Sequence, residues 1–212
     1  MRPDDATARD RLDLLDWKRR VFALYAAIRA DIDPARAWEH WRAVRDELFG
    51  DHPQSPVAQP GRAAFRGLSY FPYDPELRVT AEVMPAARAE TAIGSSGPEP
   101  ITFERFAVAH FTAGGGERTL ELYWLTAYGG GLFVPFRDET SGVETYGGGR
   151  YLLDTVKGAD LGTEGGRLVL DFNFAYNPSC SYDPGWVCPL SPPANRLPLA
   201  IRAGEQHRSA AA

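Results

Sequence analysis

The sequence has few of the residues on which clear functional assignments usually rest. Its 212 residues include two cysteines and four histidines, and the formal net charge is −5 at pH 7. No apolar run approaches the roughly 20 residues that span a bilayer. The first ten residues, MRPDDATARD, are acidic and polar, whereas a secretory signal starts with basic residues and continues into an apolar stretch. These absences predict a soluble, cytoplasmic protein that is not inserted in a membrane.

Concentrated positive charge is also missing. The lysines and arginines are scattered, apart from Lys18-Arg19-Arg20 inside a helical pattern. Because binding to a phosphate backbone requires a basic surface, the sequence predicts no nucleic-acid partner. It leaves open whether the chain has a protein partner and which oligomeric state it adopts.

The motifs of common cofactor sites and nucleophiles do not occur. The segment Tyr146-Gly-Gly-Gly-Arg150 lacks the lysine of a P-loop, and Leu152 stands where a dinucleotide fingerprint has its third glycine. No G-x-S-x-G elbow is present. The sequence therefore predicts no cofactor and no serine nucleophile.

Cys180 and Cys188 are weak candidates for a metal site. Seven residues separate them, whereas zinc sites usually pair cysteines two to four residues apart and need two further ligands. A disulfide would close a short loop and contribute roughly 2.5 kcal/mol, but a reducing cytoplasm disfavours it. Two reduced, buried thiols are the simplest interpretation, and a nucleophilic cysteine paired with a histidine is a further alternative.

Two helices are expected within residues 1–50. Apolar residues recur there at spacings of three and four, which places them on one face of each helix. Asp33-Pro34 is a typical helix start, and Gly50 a typical stop. The apolar stripes comprise Leu14, Trp17, Val21, Leu24, Tyr25 and Ile28, followed by Trp38, Trp41, Val44, Leu48 and Phe49. Such helices cannot bury these tryptophans alone, so we expect them to pack on a sheet.

After an ordered, proline-rich crossing over residues 51–61, the period changes from 3.6 to 2. Glycine-rich turns separate the strand patterns, and short loops imply antiparallel neighbours. We expect strands over 77–83, 103–112, 119–127, 132–137, 143–146, 151–156 and 167–175. The predicted fold is mainly β with an α+β arrangement: an antiparallel meander closed, or nearly closed, into a barrel, with the two helices packed on it.

The carboxyl-terminal region is rich in proline and has no regular period. From Asn177 onward the prolines exclude a long helix, yet Trp186, Val187, Leu190 and Leu197 are too apolar for a free tail. We expect a strap that wraps the barrel and completes a β domain over residues 62–203. Residues 204–212 are expected to fray.

Two stretches carry the candidate site residues. In LVLDFNFAY, alternation places Asp171 and Asn173 together on one strand face, which faces either water or a ligand cavity. Tyr146 and Arg150 flank three glycines that either shape a bend, as Gly129-Gly130-Gly131 would, or let a ligand approach the backbone. Only the second glycine triplet is followed by a cation, and an arginine can bind a carboxylate or phosphate bidentately.

The predicted ligand-binding residues are therefore Tyr146, Arg150, Asp171, Asn173 and Arg137. Asp171 or Glu144 is the candidate general base, and Tyr146 or His52 the candidate proton donor. A small polar or anionic ligand bound in the barrel is the leading hypothesis. The alternatives are a hydrolase or isomerase acting in the same cavity, and a structural or partner-binding domain whose contact surface includes Trp186.

Three segments resemble a known family. RDELFGDHPQSP, FVPFRDETSGVETYGGGRYL and DFNFAYNPSCSYDPGWVCPLSPPANRLPLAIRAGE are similar to the bacterial and archaeal family catalogued as domain of unknown function 1684. The chain departs from the family pattern at Ser191 and Ala194, where proline and glutamate are more usual. The resemblance implies no established activity, but it suggests that the site lies where these segments meet.

Overall fold

The computed structural model describes residues 7–126 and 128–207, apart from the side chains of residues 59 and 60. Helix α1 spans Ala8–Ala30, α2 spans Pro34–Asp51, and the short α3 spans Gln59–Arg62. The Asp33 carboxylate accepts the first free N–H groups of α2 immediately before Pro34, as the sequence pattern of a helix start indicates. The two predicted amino-terminal helices are present in the structure.

Seven strands form one antiparallel sheet in the spatial order β5-β4-β3-β2-β1-β7-β6. The sheet curls into a half-barrel, and Tyr151 in β5 exchanges two backbone hydrogen bonds with Tyr176, just beyond β7. The predicted fold class, a nearly closed antiparallel meander with two helices packed on it, is confirmed. The strands are β1 Arg78–Ile93, β2 Ile101–Ala113, β3 Gly116–Leu125, β4 Gly131–Phe136, β5 Arg150–Asp154, β6 Thr163–Glu164 and β7 Arg167–Asp171.

Both helices contribute to the core of the half-barrel. Trp41 is fully buried, and its indole N–H donates to the hydroxyl of Tyr25 over 3.1 Å. The Trp38 indole donates to the carbonyl of Asn173 over 3.0 Å, which fixes α2 against the end of β7. Aromatic and aliphatic side chains of the sheet, such as Phe136 and Phe172, fill the interior from the other side. None of the helices in the described ranges is long and apolar enough to span a bilayer.

One predicted strand, over residues 143–146, is replaced by a turn, and another, over residues 167–175, is shorter than predicted. Residues 143–146 form a compact turn, because three successive N–H groups there donate to the carbonyl of Thr140. The strand predicted over 167–175 ends at Asp171, where a 3₁₀ turn over Phe172–Phe174 begins. Asp171 and Asn173 therefore do not share a strand face, although the turn keeps them in contact. Residue 127, the expected end of another strand, lies outside the described residues.

The glycines beside Arg150 lie in a turn that leads into β5, not in a bent strand. Gly149 has φ of 93°, and a Cβ at this position would lie 2.7 Å from the carbonyl oxygen of Phe136. Glycine is therefore required by both the left-handed conformation and the close approach to β4. Gly129 and Gly130 similarly shape the turn between β3 and β4.

The proline-rich strap runs along the ends of the strands and is held by backbone hydrogen bonds. Leu190 N–H donates to Gly94, and Asn195 accepts from Arg137 N–H. The structure differs from the prediction of fraying at residues 204–207: Glu205 is 1% exposed, and its N–H donates to Ala175. Residues 208–212 of the predicted tail lie outside the described residues.

Candidate functional site

Asp171 ends β7 with one oxygen engaged and the other unpaired. Its Oδ1 accepts hydrogen bonds from the backbone N–H and the side-chain amide of Asn173, at 3.0 and 2.8 Å. Its Oδ2 has no hydrogen-bond partner among the described residues, although the side chain is almost entirely buried. Buried polar atoms are nearly always paired in native proteins, so this oxygen is an acceptor that no described group of the protein satisfies.

Asp171 forms part of the wall of a cleft of about 150 Å³, which we call the Asp171 cleft. The cleft lies between the end of α1, the start of α2, the first residue of β1 and the β6–β7 hairpin. Its volume is well above the ~10–15 Å³ that holds one water. Its wall includes Ile28, Arg29, Arg78, Glu164, Val169 and Phe174. The site is therefore partly apolar and carries charges of both signs.

The charged groups around Asp171 are mostly committed to other partners. Arg78 places its Nε 3.7 Å from Asp171 Oδ2, beyond hydrogen-bond distance, while its guanidinium makes two hydrogen bonds to Glu164. Arg29 donates to the carbonyl of Asp160 over 2.6 Å. Asp171 Oδ2 is thus a buried acceptor close to a cation that does not bond to it.

Burial raises the pKa of Asp171 to about 6, an effect that the hydrogen bonds from Asn173 and the charge of Arg78 only partly oppose. Tyr73 stands nearby: burial and then the charge of Asp171 raise the pKa of its phenol to about 12. Asp171 therefore changes its charge near neutral pH beside a phenol that stays protonated. These are the properties of a group that can exchange protons with a ligand.

Arg150 is enclosed in the core, where its guanidinium donates four hydrogen bonds. The guanidinium bonds to Asp138 over 3.1 Å and to the carbonyls of Ile201, Ala203 and Glu205. Burial lowers the pKa of Arg150, and the charge of Asp138 opposes this shift. Both side chains have 0% exposure. The structure thus assigns Arg150 a role in attaching the end of the strap, and Arg150 and Asp171 do not contact each other.

Tyr146 lies at a third location, beneath the strap. Its hydroxyl is 3.7 Å from Cys180 Sγ, and its ring packs edge-on against His207. Burial raises the pKa of Tyr146 to about 12. The four residues predicted as one ligand shell are therefore distributed: Asp171 and Asn173 are in contact, whereas Arg150 and Tyr146 occupy separate surroundings.

The remaining candidates make structural contacts. Glu144 pairs with the exposed Arg202 over 2.9 Å, and His52 Nε2 lies 3.2 Å from Asp16 Oδ2. The backbone N–H of Arg137 donates to the carbonyl of Asn195 in the strap, and the carbonyl of Arg137 accepts from the N–H of Leu197. None of these residues lines the Asp171 cleft. Sequence reasoning missed Arg78 and Glu164, which the pairing of β1 with β7 and the β6–β7 hairpin bring to Asp171. It also missed Tyr73, which precedes β1 and whose phenol is influenced by the charge of Asp171.

Cys180 and Cys188 are both free and buried. A hydrogen bond from the thiol of Cys188 is the main cause that lowers the pKa of Cys180 to about 6, with further contributions from Ser96 and Tyr146. The same contact, together with burial, raises the pKa of Cys188. Across the described ranges, no group of three or more histidines, cysteines or carboxylates is placed to hold a metal ion.

Comparisons with known proteins identify the family. Among the solved structures, the chain is similar to the solution NMR structure of an uncharacterised protein from Haloarcula marismortui, with 35% identity and a TM-score of 0.56. The match covers 79% of this chain and 91% of that chain. No curated protein matches. The family model described as "Protein of unknown function (DUF1684)" matches residues 63–206, and the chain belongs to this family.

Proposed function

We propose that the protein binds a small polar molecule in the Asp171 cleft, where a hydroxyl or amine of the ligand donates a hydrogen bond to Asp171 Oδ2. The observation that carries this proposal is the buried, unpaired oxygen beside a cleft large enough for a small ligand. An anion is disfavoured, because the wall contains three carboxylates, Asp31, Glu164 and Asp171, against the two arginines Arg29 and Arg78. A neutral polyol or a small amine therefore matches the cleft.

The unpaired oxygen of Asp171 carries a free-energy cost. A buried acceptor without a partner costs roughly 1–3 kcal/mol, and more when it is charged. A ligand that donates to Oδ2 recovers this cost in the bound state only. Asn173 supports the geometry, because its backbone and side-chain N–H groups hold the other oxygen of Asp171 in place.

The test is a calorimetric titration with glycerol, erythritol and ethanolamine at pH 7.5, on wild type and Asp171→Asn. We expect at least one of these compounds to bind wild type, and Asp171→Asn to weaken that binding tenfold or more. Asp154→Asn is the matched control, because Asp154 is also a buried carboxylate at the end of a strand but lies outside the cleft. Equal binding by wild type and Asp171→Asn would refute the assignment.

Acid–base catalysis in the same cleft is the second candidate function. The raised pKa of Asp171, about 6, favours it, because a carboxylate that titrates near neutral pH can act as a general base. Tyr73, whose phenol is influenced by the charge of Asp171, could return a proton, and Arg78 could stabilise a developing negative charge. The cleft would then serve a hydrolase or an isomerase.

Isomerase chemistry is tested by incubating the protein with dihydroxyacetone or glyceraldehyde in D₂O and following deuterium incorporation by proton NMR. A general base at Asp171 predicts exchange that rises with pH around 6 and disappears in Asp171→Asn. Exchange that persists in the variant would assign the base elsewhere.

A further inference from the structure

A larger cavity, which we call the strap cavity, has no lining residue in common with the Asp171 cleft. Its volume is about 410 Å³, which is within the range of small-molecule sites. Residue 57 and three segments line it: residues 65–69 after α3, residues 177–182 at the start of the strap, and residues 205–207.

Three residues that line the strap cavity each carry a buried polar side-chain atom with no partner in the part of the chain described by the structure: Asn177 Oδ1, Ser181 Oγ and Tyr182 Oη. Asn177 is 3% exposed, and its side-chain N–H₂ donates to the carbonyl of Gln206 over 3.0 Å. A carbonyl can only accept, so this bond fixes the amide orientation and leaves Oδ1 as the unpaired acceptor. The two hydroxyls can each donate.

The wall is held in place before any ligand binds. Asn177 N–H donates to the carboxylate of Glu205 over 3.1 Å, and the ring of Tyr182 packs edge-on against Phe49 at 5.1 Å. Gly204 has φ of 75°, and a Cβ there would lie 2.5 Å from the carbonyl oxygen of Ala175, so this glycine lets the chain bring Glu205 against the start of the strap. A preorganised wall lowers the entropic cost of binding.

The charges in the wall favour an uncharged ligand. Glu205 is neutralised by Arg45, whose guanidinium donates to it over 2.7 Å. Burial lowers the pKa of His207, so that its ring is neutral at pH 7. Arg66 is the cation of the lining, and it stands at the exposed rim, where its guanidinium bonds to backbone carbonyls. The apolar part of the lining consists of Val57, Phe65 and Leu68.

We propose that the strap cavity binds a neutral small molecule that presents an amide edge on an apolar or aromatic body, such as an aromatic carboxamide or a nucleobase. The ligand N–H donates to Asn177 Oδ1, and the ligand carbonyl accepts from Ser181 Oγ or Tyr182 Oη. The apolar body contacts the side of the cavity formed by Phe65 and Leu68. This edge supplies one donor and one acceptor, as the unpaired atoms require.

Benzamide and benzoate test the proposal, because they have the same shape and differ in charge and in the N–H donor. We expect benzamide to bind wild type in a titration followed by NMR, and benzoate to bind at least tenfold more weakly. Comparable or tighter binding of benzoate would mean that Arg66 selects an anion and would overturn the proposal. Failure of benzamide, nicotinamide and uracil to bind at 10 mM would also overturn it.

Tyr182→Phe and Ser181→Ala remove two hydroxyls that have no hydrogen-bond partner among the residues the structure describes. Together they are expected to weaken benzamide binding about tenfold, the loss of one hydrogen bond. Tyr182→Phe is also expected to raise the melting temperature by about 2–4 °C, since it deletes a buried group that lacks a partner. Tyr128→Phe, at a fully exposed tyrosine, is the control for loss of a phenol.

An unchanged benzamide affinity in the Ser181→Ala, Tyr182→Phe double variant would place the compound elsewhere and reject the assignment. Asp171→Asn should leave benzamide binding intact. This separates the strap cavity from the Asp171 cleft, so that either proposal can fail while the other holds.

Discussion

Arg150 and Asp171 are both charged, both buried and both at an end of a strand, yet they differ in how fully the protein satisfies their charged groups. The two terminal nitrogens of Arg150 donate four hydrogen bonds, although its Nε has no partner in the described ranges. Its partner Asp138 accepts further hydrogen bonds from Thr140, Ser141 and Ile201. Asp171 keeps one oxygen without a partner in the described ranges. A network in which nearly every buried polar atom is paired fixes one conformation, whereas a buried acceptor without a hydrogen bond reduces stability.

This difference separates a region that stabilises the fold, around Arg150, from a region where a functional site is best sought, around Asp171. The Arg150 network joins the turn after β4, the start of β5 and the end of the strap into one unit. The unpaired oxygen of Asp171 contributes nothing to the stability of the fold. Locally unfavourable features of this kind concentrate at functional sites. The three predictions below test this comparison.

The largest effect is expected from Arg150→Met. The substitution leaves the Asp138 carboxylate buried without its cation, which typically costs about 3–5 kcal/mol. Urea unfolding should therefore show a large loss in the free energy of unfolding, and soluble protein should be scarce. Arg202→Met is the matched control, because its ion pair with Glu144 is largely exposed and such pairs contribute less than about 1 kcal/mol.

The double variant Arg150→Met with Asp138→Leu sharpens this test. Removing both charges should recover part of the stability that Arg150→Met loses, because no uncompensated charge then remains in the core. The double variant could instead lose more free energy of unfolding than the two single variants lose together. That result would mean that the other hydrogen bonds of Asp138, rather than the ion pair, hold this region together.

The fold could be predicted from the sequence because its signals are local. The apolar spacing around Trp38 and Trp41, the proline after Asp33 and the glycine-rich turns each act within a few residues. Prediction failed where a local pattern competed with a turn. At residues 167–175 the alternation continues past Asp171, but the Asp171 carboxylate caps a 3₁₀ turn and ends the strand.

The candidate site could be predicted only in part, because its residues are brought together by strand pairing. Asp171 and Asn173 were accessible to sequence reasoning as polar residues in an apolar strand. Arg78 is 93 positions away from Asp171, and only the pairing of β1 with β7 places them opposite each other. Arg150 looked like a free cation beside glycines, since the sequence does not show that Asp138 faces it.

The second prediction concerns Asp171→Asn and the pH dependence of stability. The pKa of Asp171 is about 6 in the folded protein, against an ordinary value of 3.8, so between these pH values the folded state holds more protons than the unfolded state. The contribution of Asp171 to the free energy of unfolding should therefore fall as pH rises from about 4 to about 6. Asp171→Asn lacks this contribution.

The variant should accordingly gain stability relative to wild type across that window, by at most roughly 3 kcal/mol, since each unit of pKa difference corresponds to about 1.4 kcal/mol. Urea unfolding at pH 4, 5, 6 and 7 measures the difference, and Glu139→Gln provides an exposed carboxylate as control. A difference between variant and wild type that does not change with pH would show that Asp171 is already ionised at pH 4, which would remove its distinction from Asp138.

The smallest effect is expected from Arg78→Gln. This variant tests whether Asp171 is held by an ion pair with Arg78, as Asp138 is held by Arg150. Arg78 lies 3.7 Å from Asp171 Oδ2 and lowers the pKa of that carboxyl. Its removal should raise the pKa of Asp171 further, and because Arg78 is partly exposed we expect about 1 unit or less. Glu164, freed from Arg78, pushes the pKa in the same direction.

Carbon-13 NMR titration of the aspartate carboxyls measures this shift, and Arg29→Gln is the matched control, since Arg29 lines the same cleft but bonds to Asp160. A shift of several units would mean that Arg78 and Asp171 form a tight ion pair in solution. The free oxygen would then be satisfied within the protein, and the cleft would resemble the Arg150 network. A shift within the expected range leaves Oδ2 available as the acceptor that a ligand requires.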